Sequence, residues 1–279
     1  MERLTRWIEE RDRVLVMGVL NLTPDSFYDG GRYTTTQLAV ARALEMVEEG
    51  ADIIDIGGES SRPGARSVSL DEELARIVPV VEALTSRSDV LISVDTTKSA
   101  VARAAINCGA TIINDISALR FDPEMGRVVA QAGAYLVVMH MQGTPETMQQ
   151  DPRYEDPVSE IKGYLRERMD AAISAGIERE HLIVDPGIGF GKRLTDNLEI
   201  LRKLSEFREL GVPILVGLSR KSFLGEILDL PTSERLEGTI AANAIAIVNG
   251  ADIIRVHDAK EGRRTADVAV RLRKDAAQH

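Results

Sequence analysis

The chain is 279 residues long, carries a formal net charge of −10, and holds 22 glycines, one cysteine and 4% aromatic residues. That length suits one large domain with an ample buried core. The acidic balance argues against a nucleic-acid partner or a polybasic membrane surface, Cys108 alone makes no internal disulfide, and no apolar run is long enough to span a bilayer. The expectation is a cytoplasmic, non-membrane protein: residues 1–279 as one domain, with residues 1–13 a charged arm.

Val14–Leu20 reads as a buried strand ending at Asn21, followed by turn formers from Thr23 to Gly31 and helical spacing from Thr36 to Glu49. Ile53–Ile56 is the second strand. It opens into a loop from Gly57 to Gly64, and Ser69 with Glu72 marks a capped helix start. Leu91–Val94 ends at Asp95, a helix runs from Lys98 to Asn107, and the next strand ends at Asn114. Leu136–Met139 ends at His140, and a long loop through Pro152 precedes a helix from Pro157 to Ala175. Leu182–Val184 ends at Asp185 and opens into Gly187–Lys192, ahead of a helix from Asp196 to Leu210. Ile214–Leu218 runs into Ser219-Arg220-Lys221-Ser222, and helices over Phe223–Leu228 and Ser233–Asn249 lead to the last strand.

One phrase punctuates this series. Gly50-Ala51-Asp52-Ile53-Ile54-Asp55, Gly109-Ala110-Thr111-Ile112-Ile113-Asn114 and Gly250-Ala251-Asp252-Ile253-Ile254-Arg255 each turn on Gly-Ala, run two isoleucines and present a polar side chain. Alternation along a strand puts Asp55, Asn114 and Arg255 in one phase, and His257 shares the face of Arg255. Repeated β-then-α units predict an α/β chain folded as a (β/α)₈ TIM barrel. A doubly wound open sheet is the alternative, but it usually brings a Gly-rich dinucleotide loop after its first strand, and none is present. The helix-to-strand connections are clipped, whereas the strand-to-helix loops carry most of the Pro, Ser, Thr and charge. The active site is therefore expected at the carboxyl ends of the strands, ringed by Asn21, Asp55, Asp95, Asn114, His140, Asp185 and Arg255.

Asp95, Asn114 and Asp185 offer acceptors to the paired N–H donors of an amino-pyrimidine edge. Arg62, Lys221, Arg255 and His257 would, if they converge, bind phosphate or pyrophosphate, and Asn21 with the aspartates could share Mg²⁺. Plainer readings stand beside these. Asp95 could cap the helix after it, Arg62 could be a solvated loop charge, and Met139 and Met141 could be packing. Asp55 could do no more than hydrogen-bond the Gly57-Gly58 turn, and His181 precedes its strand, at the wrong end for this chemistry. Gly187–Lys192 lacks Walker spacing, and no Cys/His zinc spacing or Gly-x-Ser-x-Gly elbow exists.

Read together, Met17–Phe27, Asp52–Gly64, Ser93–Thr96, Ile113–Ile116, Met139–Gly143, Asp185–Lys192, Gly217–Gly225 and Arg255–Asp258 resemble the dihydropteroate synthases of folate biosynthesis, in order and over nearly the whole chain. The resemblance implies a (β/α)₈ transferase, commonly a homodimer, that joins 6-hydroxymethyl-dihydropterin pyrophosphate to p-aminobenzoate and is inhibited by sulfonamides. It implies that Asp95, Asn114, Asp185 and Lys221 hold the pterin, with Gly217 and Phe190 bordering the slot. Asn21, Ser61, Arg62, Arg255 and His257 would hold the pyrophosphate with Mg²⁺ at Asn21, while Phe27, Pro63 and Ser222 would shape the p-aminobenzoate site. Lys221, Arg255, His257, Asp95 and Arg62 are the implied catalytic set. Ser61, Tyr28 and Ala259 depart from residues common in the family, and none of the three removes a charge. Two rival readings are a methyltetrahydrofolate-binding methyltransferase barrel, which has no use for the cations, and a silent pterin-binding homologue, which would have lost Lys221 or Arg255.

Overall fold

A computed structural model describes residues 4, 6, 7, 13–22, 35–60 and 67–273. Eight parallel strands alternate with helices: β1 (Leu15–Asn21), β2 (Ile53–Gly57), β3 (Leu91–Asp95), β4 (Ile112–Asp115), β5 (Tyr135–Met139), β6 (Leu182–Asp185), β7 (Leu215–Gly217) and β8 (Ile253–Val256). Their order around the sheet is β6-β5-β4-β3-β2-β1-β8-β7. The circle closes through one parallel bridge, Val184 to Ile214, backed by Val184 N–H donating to the Pro213 carbonyl at 3.0 Å. This is the (β/α)₈ barrel that the strand-and-loop pattern predicts.

The helices are α1 (Thr35–Glu48), α2 (Leu70–Thr85), α3 (Ser99–Asn107), α4 (Met125–Ala132), α5 (Pro157–Ser174), α6 (Leu194–Arg202), α7 (Ser222–Leu228), α8 (Leu236–Val248) and α9 (Ala259–Leu272). The expected helix from Asp196 to Leu210 is in fact two elements, because Leu204–Leu210 is a 3₁₀ helix ended by left-handed Gly211. Leu204, Phe207 and Leu210 are its buried residues, and a spacing of three puts them on one face only if the turn tightens to three residues. Residues 233–249 likewise divide, into a 3₁₀ turn at Thr232–Glu234 and α8. Helix α4 fills the stretch between the fourth and fifth strands, completing the β-then-α unit there. The Ser69 hydroxyl caps α2 through Glu72 N–H at 3.3 Å, but the Glu72 carboxylate turns to Arg76 instead of closing the box.

Each repeated phrase has a mechanical job at strand entry. Gly50, Gly109 and Gly250 have φ of +102°, +115° and +115°, a backbone state that side chains disfavour. Asp52 then accepts from Val16 N–H at 2.9 Å, and Asp252 from Ile214 N–H at 3.0 Å, so each aspartate pins the neighbouring strand in register. The next residue of each phrase, Ile53, Ile112 or Ile253, points into the barrel. There the three pack with Leu15, Met17, Tyr135 and Leu215, and with Trp7 from the N-terminal segment. The second isoleucines, Ile54, Ile113 and Ile254, belong to the outer core beneath the helices. Two residues beyond the inner isoleucines, the same inward phase meets the carboxyl face, and there the side chains become polar.

Candidate active site

At that face the three phrase endings touch. Arg255 Nε donates to Asp55 Oδ2 at 2.6 Å, and Asn114 Nδ2 donates to the same oxygen at 3.2 Å. Arg255 Nη2 reaches Asp95 Oδ2 at 2.9 Å. Asp55 has no exposed surface, and its Oδ1 has no donor against it among the described residues. It therefore holds Arg255 and Asn114 and makes no bond to the Gly57-Gly58 turn. Nor does Asp95 cap a helix: the N-cap of α3 is Lys98, without a side-chain cap bond.

Asp185 ends β6 and accepts Gly187 N–H at 2.7 Å. The loop it opens folds back so tightly that a Cβ on Gly187, at φ +68°, would stand 1.9 Å from the His140 carbonyl oxygen. The loop brings Phe190 under Lys221, whose Nζ lies 4.6 Å from the ring centroid and donates to the Ile188 carbonyl. Gly217 lies between the cations: a Cβ there would be 3.8 Å from both Lys221 Nζ and Arg255 Cβ. His257 sits on the next strand end, Nδ1 2.9 Å from the Ser219 hydroxyl. Ile116, Met139, Met141 and Met148 form an apolar cluster with Phe190, so Met139 at the end of β5 and Met141 just beyond it pack apart from the helix-covered core. Asn21 stands half-buried at the end of β1, and Ser222 is exposed at the start of α7. Phe27, Tyr28, Ser61, Arg62 and Pro63 lie outside the described residues. Ala259, the other departure from the family, is buried at the start of α9.

Burial sets the charge states. It pushes the Asp95 carboxyl up to about 7 against the opposing pull of Arg255, with Asp55 and Glu73 adding to the rise. Burial also raises Asp185, opposed chiefly by Lys221. It brings Lys221 down to about 8, with Asp185 opposing and Arg255 reinforcing the change. These are carboxylates and cations close to one another in a poorly hydrated mouth, where small displacements of charge matter most.

His140 departs from the expected ring. It follows inward-facing Met139 and so points out of the barrel, edge-on to Tyr164 of α5 with ring centroids 4.8 Å apart. Its Nδ1 is 2.9 Å from Lys192 Nζ, which also donates to the Phe190 carbonyl at 3.0 Å. Burial and the positive Lys192 and Arg120 hold His140 down to about 2, so it is neutral. Lys192 itself is only 4% exposed, and burial drives its pKa well below the ordinary lysine value. From the sequence Lys192 has no site role and Asp55 only a place in the ring, yet both fix residues of the mouth. A second group escaped as well. Buried Glu73 on α2 accepts the Thr96 hydroxyl at 2.6 Å and pairs with Lys98, which also binds Glu59 at 2.5 Å. These residues line a cavity of about 270 Å³ that opens beside Asp95.

A polar cluster carried on strand ends at the carboxyl face of a (β/α)₈ barrel is the architecture of an enzyme acting on a small molecule. The sequence pattern of the family described as pterin binding enzyme matches residues 17–257. The dihydropteroate synthase of Escherichia coli strain K12 is 50% identical over 246 residues, covering 88% of this chain and 87% of that one. A Yersinia pestis dihydropteroate synthase solved with a sulfonamide superposes with a TM-score of 0.89 at 45% identity, covering 94% of this chain and 95% of that chain. The Xanthomonas albilineans enzyme with 4-aminobenzoic acid gives 0.88 at 45% identity, covering 94% of each. The chain belongs to the pterin binding enzyme family and, within it, to the dihydropteroate synthases.

Proposed function

We propose that the chain condenses 6-hydroxymethyl-7,8-dihydropterin pyrophosphate with p-aminobenzoate to give 7,8-dihydropteroate and pyrophosphate. The observation that carries this reading is the meeting of acceptors Asp95, Asn114 and Asp185 with cations Arg255 and Lys221 and with His257 at one barrel mouth. A transferase that detaches an anion from a heterocycle needs both sets. A methyl transfer between tetrahydrofolate and a corrinoid would use only the first.

Asp95, Asn114 and Asp185 would accept the N–H groups of the amino-pyrimidine edge, with Phe190 and Lys221 against one face. The C–O bond to pyrophosphate breaks with its electron pair on oxygen, where Arg255, His257 and, from outside the described residues, Arg62 would stabilise it. The buried carboxylates favour the cationic pterin left behind. The neutral arylamine then attacks the methylene, a C–N bond forms and the nitrogen sheds a proton to solvent, so no protein nucleophile is needed.

Mg²⁺ fits this arrangement as a passenger of the pyrophosphate. Among the described residues no group of three His, Cys, Asp or Glu could cage a metal, and Asn21 offers one neutral oxygen at the end of β1. That donor suits a hard cation whose other ligands are phosphate oxygens and water. Bound there, Mg²⁺ would neutralise charge on the leaving group.

Two further readings concern the whole molecule. Ile245 and Val248 on α8, with Val268 and Leu272 on neighbouring α9, are between 40% and 67% exposed, a run of apolar surface that supports a homodimer. No described helix is long and apolar enough to cross a membrane, which agrees with a cytoplasmic setting. The deciding experiment incubates the purified chain with the pterin pyrophosphate, p-aminobenzoate and Mg²⁺ and follows dihydropteroate by mass. Formation that stops with EDTA and is competed by a sulfonamide is the expected result; no product at saturating substrates would overturn the assignment.

A further inference from the structure

Two loops deliver His257 and Lys221 to the mouth, and each has a partner residue beside it that touches the other loop. Arg220, between Ser219 and Lys221, extends its guanidinium to Asp258, the residue after His257. Nε reaches Oδ2 at 3.0 Å and Nη2 reaches Oδ1 at 2.9 Å, a two-pronged fork that fixes orientation as well as distance. One residue earlier, the Ser219 hydroxyl accepts His257 N–H at 3.2 Å and meets its Nδ1 at 2.9 Å. The two loops are thus joined by consecutive rungs, one of them made by His257 itself and the other flanked by Lys221.

Arg220 holds this place at φ +56°, a left-handed conformation that a residue with a Cβ rarely adopts. The turn is gripped from every side. Arg220 N–H donates to the Thr239 hydroxyl at 3.0 Å, Nη1 donates to the Ser233 carbonyl at 3.0 Å, and the Arg220 carbonyl accepts from Arg235 at 3.2 Å. Arg235 also reaches the Lys221 carbonyl at 3.4 Å. Each guanidinium nitrogen of Arg220 has a protein acceptor, so its place is in the scaffold and outside the anion's first contacts. A strained conformation that so many bonds over-determine, directly beside functional groups, points to a position that has to be held.

We propose that Arg220, acting through Asp258, is a positioning residue that holds Lys221, against the pterin face, and His257, beside the departing anion, at a fixed separation. This rests on the reading of the mouth as the pyrophosphate end of a dihydropteroate synthase site. Fixing both groups before the bond breaks spares reorganisation when charge develops, so the benefit falls on the transition state more than on substrate binding.

The test compares the full-length wild-type chain with Arg220→Gly, Arg220→Lys, Asp258→Asn and the Arg220→Gly/Asp258→Asn pair, measuring kcat, KM for each substrate and melting temperature. Glycine accepts the left-handed turn better than arginine does and keeps the backbone bonds, so Arg220→Gly removes the fork while easing the strain. The expected result is a kcat lower by about 10- to 100-fold, the loss typical of a displacement near 1 Å, with KM for p-aminobenzoate within about twofold. The double variant should be no worse than Arg220→Gly, because both changes break the same link. If Arg220→Gly turns over within about twofold of wild type, or if the two losses multiply, the proposal is wrong. Should Arg220→Gly fail to fold, Arg220→Lys decides: it keeps the charge, cannot span both carboxylate oxygens, and should again lose kcat rather than KM. A wild type that makes no dihydropteroate refutes the function and leaves this question open to calorimetry with inorganic pyrophosphate. There, a roughly tenfold weaker affinity in Arg220→Lys supports the positioning role, and equal affinities reject it.

Discussion

Arg255 and Asp55 are separated by 200 positions in the chain, yet Nε and Oδ2 meet at 2.6 Å inside the barrel mouth. Asp55 is wholly buried and Arg255 largely so, and removing one member of such a pair strands the other's charge. Asp55→Asn keeps the volume and loses the charge. Urea unfolding should show a loss of about 3–5 kcal/mol, with turnover at or near background because Arg255 loses its orientation. A loss below about 1 kcal/mol would mean that Asp95 alone suffices to hold the guanidinium.

The pH profile follows from two opposed shifts. Asp95, raised to about 7, becomes a carboxylate only above that value, and Lys221, lowered to about 8, loses its proton beyond it. If the substrate needs the carboxylate and the ammonium, kcat/KM rises through about 7 and falls through about 8, since this ratio reports the free enzyme. A profile that is flat across both values would show that these groups do not titrate in the binding step.

Asp185→Asn tests the pterin contact without changing the shape of the mouth. An amide presents an N–H where a carboxylate oxygen accepted, so a buried donor of the ligand faces a donor. Calorimetry with a pterin should record a weakening of roughly 1–3 kcal/mol. Unchanged affinity would remove Asp185 from the contact.

Acid sensitivity has a source outside the mouth. His140 is held down to about 2 in the folded chain against an ordinary value of 6.5, so between these values the unfolded chain binds the proton more readily. Stability contributed by neutral His140 is present above about 6.5 and declines as the pH falls below it. Between pH 7 and 5 the wild type should lose on the order of 2 kcal/mol more than His140→Gln, read as the difference in slope of unfolding free energy with pH. Parallel slopes would show that folded His140 takes up its proton over the same pH range as the unfolded chain.

Much of the barrel and part of its mouth were legible in the sequence. The repeated phrase marked strand entry, inward phase and polar ending, because all three depend on residues adjacent in the chain. His140 could have been placed outward by the same alternation that faces Met139 inward. What stayed hidden depends on which strands become neighbours. Asp55 reads as a turn residue until β8 and β4 bring Arg255 and Asn114 against it. Lys192 is only the end of a glycine loop without Walker spacing until that loop folds onto His140 and buries it. The break after Arg202 was visible only as a spacing of three among Leu204, Phe207 and Leu210.

The barrel's closure by one bridge, Val184 to Ile214, has a consequence for how the molecule moves. A ring fastened everywhere else by runs of paired residues has one joint where it can part at least cost. Asp185 stands on one side of that joint, and Gly217 and Lys221 on the other. A ligand gripped by both sides acts as a clasp across the gap. The ring should therefore breathe most when empty and tighten when filled, so that loading the mouth and stiffening the frame become one event.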